Sequence, residues 1–202
     1  MNNIVTMKLW EGKSMLINTN VESPVIDLRY ITPLFLFSLN WQFAGAGSLK
    51  FEYFTSPTKD GVFTEGAADI IASVAGGGAR VASASRQIAS EVATIITGAA
   101  HNLIANEYAL VTGMKNIDYN GIHKVASAPD GTTFTFAVPG LADEDDGEAI
   151  PGPIADTGGL IGDLKVGRAA FTPIAAMPFL KIKMTELNAG AIDYADVWLN
   201  VA

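Results

Sequence analysis

Two well-separated stretches of this chain alternate apolar and polar side chains at a period of two, and that pattern constrains the fold more than any other feature. From Pro33 to Gln42, Phe35, Phe37, Leu39 and Trp41 fall on one side of an extended chain, while the other side begins with Leu34 and Leu36 and turns polar at Ser38, Asn40 and Gln42. Successive side chains of a strand point to opposite faces, so this spacing predicts a strand with one end covered on both sides. After Ala44-Gly45-Ala46-Gly47 the run Ser48 to Tyr53 alternates again, and the two predict a β-hairpin. Near the other end, Leu180, Ile182 and Met184 alternate with Lys181, Lys183 and Thr185, and Val197, Leu199 and Val201 with Asp196, Trp198 and Asn200. Half-buried strands this far apart imply one layered core closed by distant segments.

The expected fold class is therefore all-β: an antiparallel, jelly-roll-like β-sandwich from residues 1–85 and 153–202, with a small β-barrel-like domain inserted at 86–152. Within the insertion, Val92 to Thr97, Glu107 to Thr112, Ile122 to Ser127 and Thr133 to Val138 have strand character. Turn signals separate them at Asn102, Tyr119-Asn120-Gly121 and Pro129-Asp130-Gly131. Asp130-Gly131 predicts a tight hairpin turn with positive φ. Ser83 to Ile96 admits two readings: a helix with Ile88, Val92 and Ile95 on one face, or a strand from Val92 onward, which the β-branched ending favours. Gly76-Gly77-Gly78 and the stretch holding Gly152, Gly158, Gly159 and Gly162 read as flexible joints.

Composition narrows the function. The net charge of −8 over 202 residues disfavours the clustered cations that bind nucleic acid. No run reaches the roughly 20 apolar residues of a membrane span. The segment Met1 to Lys13 lacks the pattern of a secretion signal. The chain has no cysteine, which removes disulfides, thiolate metal sites and thiol nucleophiles. A hydrophobic content of 49% with 17% charged residues is high for a protein that stands alone, and points to apolar surface meeting partners.

Site chemistry is sparse. His101 and His123 have no metal-binding spacing; His101 is expected to organise a turn and His123 to sit packed or half-exposed on a strand. No nucleophile elbow is present, and no catalytic residue, cofactor or assigned metal ligand is expected. Asp143, Glu144, Asp145, Asp146 and Glu148 form the one charged run. Asp143, Asp145 and Asp146 are its weak metal candidates, and a solvated loop is the favoured reading. Trp10, Leu34, Leu36 and Trp198 are candidate interface residues, with Tyr30 a further aromatic that would suit a sugar if exposed.

The order Val25-Ile26-Asp27-Leu28, Leu34 to Trp41, Gly47 to Tyr53, Lys59-Asp60-Gly61-Val62-Phe63 and Met177 to Lys183 resembles the jelly-roll or discoidin-like sandwiches of tailed-phage structural proteins. The middle segment, with His101-Asn102-Leu103, Tyr108 to Gly113, Tyr119-Asn120-Gly121 and Thr133 to Phe136, is similar to a second module of phage virion genes, in which a glycine is usual where Asn102 stands. The resemblance implies a non-enzymatic virion protein: a capsid decoration or head-surface protein, or else a tail, neck or baseplate accessory, or a receptor- or glycan-binding module. The implied partners are capsid or tail subunits and further copies of the chain, a trimer among them. Neither nucleic acid nor a membrane is an expected partner. The N-terminal arm, Met1 to Lys13, is expected to bridge neighbouring subunits.

Overall fold

The computed structural model describes residues 5–29, 37–144, 152–173, 177–187 and 190–201. Among them are fifteen strands and no α-helix. In chain order the strands are β1 (Val5–Trp10), β2 (Asn20–Glu22), β3 (Ile26–Asp27), β4 (Phe37–Gly45), β5 (Leu49–Ser56), β6 (Thr64–Val74), β7 (Val81–Ala89), β8 (Val92–Thr97), β9 (Tyr108–Thr112), β10 (Gly121–Lys124), β11 (Thr133–Ala137), β12 (Ile154–Ala155), β13 (Leu160–Phe171), β14 (Phe179–Glu186) and β15 (Ile192–Val201). No helix of the described residues is long and apolar enough to cross a membrane.

The chain divides into two compact units, Met1–Gly76 with Lys165–Ala202, and Gly77–Leu164. The expected boundaries lay at 85/86 and 152/153. The packing division places all of β7 and the first half of β13 in the second unit, because β13 pairs there with β9 and β7.

In the first unit, β1, β15, β4 and β13 follow one another in one sheet, and β2, β14, β5 and β6 in the other, with β3 also on β14. Taking β2 and β3 as one interrupted strand, the eight strands of this unit run first-eighth-third-sixth and second-seventh-fourth-fifth. That is the order of a double-sheet jelly roll. The core forms where the alternating faces meet: Leu39, Trp41 and Phe43 from β4, Phe51 and Tyr53 from β5, Leu180, Ile182 and Met184 from β14, and Val197 and Leu199 from β15, all buried. Trp41 stacks on Phe51 with ring centroids 5.1 Å apart.

That contact corrects the expected hairpin. β4 pairs with β15, and β5 with β14 and β6, so the glycine-rich turn carries the chain from one sheet to the other. Two strands with aromatic inner faces bury more apolar surface face to face than edge to edge. In the N-terminal segment, residues from Val5 pair with β15, starting at Val5 opposite Val201 and shifting register between Lys8 and Trp10, and Lys13 and Met15 continue the hydrogen bonding to Ala195 and Ile192.

The second unit has its own core, including Ile88, Ile95, Val111, Tyr119, Val125, Phe134 and Phe136. Its strands run β10-β9-β13-β7-β8-β11, with β12 on β7. Ser83 to Ile96 is a β-hairpin, β7 to β8, and not a helix; its two turn residues, Ser90 and Glu91, have φ of 52° and 61°. Asp130-Gly131 turns without positive φ. There the Asp130 carboxylate accepts from the backbone N–H groups of Thr132 and Thr133, each at 2.7 Å, and this local bond sets the turn.

Gly76, Gly77 and Gly162, from the two glycine stretches, are closely packed. A Cβ on Gly76 would lie 2.2 Å from the Gly47 carbonyl oxygen, and one on Gly77 would lie 2.7 Å from the Asp163 side chain. Gly162 sits within β13, opposite Leu110.

Candidate functional site

Three features stand out, each contained within one unit. The first is a charged network in the second unit. β7 places Arg86 so that its Nε donates to Asp156 at 2.9 Å, while Nη1 donates to Glu144. Glu144 also accepts from the Tyr119 hydroxyl and from Asn116 Nδ2. Asp156 is fully buried and additionally accepts from the Lys115 backbone N–H at 3.0 Å. The guanidinium lies over the Tyr119 ring, 5.0 Å from its centroid.

Burial pushes the Glu144 carboxyl up, but the hydrogen bonds from Tyr119, Asn116 and Arg86 outweigh it and leave the group below the ordinary glutamate value. Burial, together with the Glu144 carboxylate, pushes the Tyr119 hydroxyl well above the ordinary tyrosine range. This end of the acidic run is therefore folded down rather than solvated. Asp143 stays exposed and accepts from the Ser90 N–H at 2.7 Å. Asp145 and Asp146 lie outside the described residues. Among those described, no three His, Asp or Glu side chains converge as metal ligands do.

The histidines belong to the same unit. His101 is buried, its Nδ1 accepts from the Leu103 N–H at 3.2 Å, and its ring meets Phe134 edge-on. His123 stacks on Phe136 at 3.9 Å and donates from Nε2 to the Tyr119 carbonyl at 2.9 Å. Burial holds its pKa below the ordinary value.

The second feature is an apolar tip on the first unit. Leu16 and Ile17 are 74% and 53% exposed, yet the loop carrying them is fixed. Asn18 turns it with φ of 58°, the Asn18 N–H donates to the buried Glu186 at 2.6 Å, and Thr19 Oγ1 donates to the Leu16 carbonyl at 2.7 Å. The Glu186 N–H donates in turn to the Thr19 carbonyl.

The third is the outer face of the β1-β15-β4 sheet, where an open groove of about 620 Å³ is lined by Thr6, Asn40, Gln42, Arg168, Trp198 and Asn200 around the edge of Trp41. The register explains the set, since Trp198 lies opposite both Lys8 and Asn40, and Asn200 opposite both Thr6 and Ser38. Lys8 Nζ stands 5.6 Å from the Trp198 ring centroid. Gln42 Nε2 donates to Tyr194 and Asp196, each at 3.2 Å, and the Tyr194 hydroxyl donates to Asp196 at 2.7 Å. Burial and the Asp196 carboxylate push that hydroxyl up to about 12.

Of the candidate interface residues, Trp198 faces this groove while Trp10 packs against the core, so the two do not share a surface. Tyr30, Leu34 and Leu36 lie outside the described residues. Sequence reasoning missed the Arg86 network, whose partners lie 58 and 70 residues away, and the apolar tip, whose two apolar residues show no periodicity. No known family model and no curated protein matches the chain.

Proposed function

We propose that the chain is a non-enzymatic structural protein of a tailed-phage particle, a decoration or head-surface protein that acts by docking on other virion subunits. The observation that carries this reading is the apolar tip. Leaving Leu16 and Ile17 in water forgoes roughly 1.5–3 kcal/mol for each side chain that burial would recover. Because Glu186, Thr19 and the left-handed Asn18 already hold the loop, little ordering entropy remains to be lost when it docks. The jelly-roll order supports the reading as a frame that viral capsid proteins share with other sandwiches, although a frame alone does not carry a task.

The test is co-sedimentation of the purified chain with phage particles. Wild type is expected to co-sediment saturably, and Leu16→Asp with Ile17→Asp to stay folded by circular dichroism and remain in the supernatant. If the folded double variant binds particles as well as wild type, or wild type does not bind, the reading fails.

A further inference from the structure

The outer-face groove is unlike the apolar tip: it is open, and amide, hydroxyl and guanidinium groups stand around the apolar surface of Trp198 and Val166. We propose that it is a binding site for an extended acidic sugar chain. The inference stands apart from the docking role of Leu16 and Ile17.

The argument begins with the side chains. A pyranose offers a weakly polar C–H face and a rim of hydroxyls that both donate and accept. The half-exposed Trp198 supplies a flat apolar surface for the first. Amides suit the rim because each carries a donor and an acceptor side by side. Three surround the indole, and two have a fixed orientation. The Gln42 nitrogen is committed to Tyr194 and Asp196, so its oxygen is the atom left to accept. Asn200 Oδ1 accepts from Thr6 at 2.7 Å, so its nitrogen is the atom left to donate.

Two polar atoms of the lining are covered and lack partners among the described residues, Asn40 Oδ1 and Trp41 Nε1, the latter on a side chain only 6% exposed. A covered polar atom without a partner is costly, and a small rotation of Asn40 would bring its amide oxygen to a bound hydroxyl. The Trp41 indole packs closely under position 167, which must be glycine: a Cβ there would lie 2.7 Å from Nε1.

The charge completes the assignment. Asp196 is already satisfied by Gly12, Gln42, Tyr194 and Lys8. Arg168 is exposed at the groove and forms no ion pair among the described residues. A planar guanidinium matches a carboxylate in two-point geometry, which selects a uronic-acid-type sugar over a neutral one.

The experiment presents the full chain to an array of neutral and uronic-acid-bearing oligosaccharides, then titrates the best binder by tryptophan fluorescence at two salt concentrations. Acidic oligosaccharides are expected to bind, more weakly at high salt. Trp198→Ala and Arg168→Gln should each weaken binding at least about tenfold, and Lys181→Ala, on the other sheet, should leave it unchanged. Arg168→Gln alters an exposed side chain and keeps the test valid if Trp198→Ala fails to fold. Retention of no oligosaccharide, equal binding of neutral and acidic ones, or full affinity in the folded Arg168→Gln variant overturns the proposal.

Discussion

Arg86 and Glu144 show how one ion pair makes a unit sensitive to acid. The folded state holds Glu144 below its ordinary value of 4.5, so the stability it contributes is complete above that value and is lost as pH falls through the depressed one. His123 follows the same sign for a different reason. Burial depresses its pKa below 6.5, so the unfolded chain takes up the proton first and stability begins to fall as pH drops below that value. Urea unfolding followed from pH 7 to pH 3 should therefore show a decline in two stages. Glu144→Gln should cost on the order of 1–3 kcal/mol at pH 7, as expected for hydrogen bonds to a charged group, and should flatten the lower stage only. An unchanged lower stage in that variant would remove Glu144 from the account.

At the scale of elements, the second unit turns on a two-residue hairpin with an unfavourable sequence. Ser90 and Glu91 both hold positive φ, a conformation that costs an L-residue roughly 1–2 kcal/mol and that asparagine tolerates better. The turn persists because the Ser90 N–H reaches Asp143 and the Glu91 carboxylate accepts from the Gly140 N–H at 2.9 Å. Ser90→Asn keeps both bonds and should raise stability by a fraction of that cost, read as a higher melting temperature; a lower one would refute the strain. The same hairpin marks the limit of sequence reading. β4, β5, β8, β11, β14 and β15 were legible because one face of each is apolar. β7 was not, since Ser83, Ser85, Arg86 and Gln87 hide the period, its buried arginine being neutralised by residues distant in the chain. The hairpin expected between β4 and β5 failed because alternation reports that a face is buried without saying which strand lies beside it. Of the candidate site, only Trp198 and the polar residues beside it were visible as a pattern. Arg168 joins them through the fold alone.

For the molecule as a whole, two cores with no residue in common mean that damage to one should register there first. Phe134 is fully buried among Phe136, His101 and the rest of the second core, and Phe134→Ala should cost about 3–5 kcal/mol. Hydrogen exchange should then quicken at amides between Gly77 and Leu164 and stay slow in the β4-β15 ladder; equal loss in both would show that the two units unfold together. The pairing of Val5 with Val201 has a further consequence, for biosynthesis. A ribosome delivers β1 first and β15 last, so the strand that completes its sheet reaches it only after nearly all the intervening chain has been translated. Until then the nascent β1 carries unpaired amides and a half-apolar face, a window in which a chaperone, or a neighbouring nascent chain, competes for it.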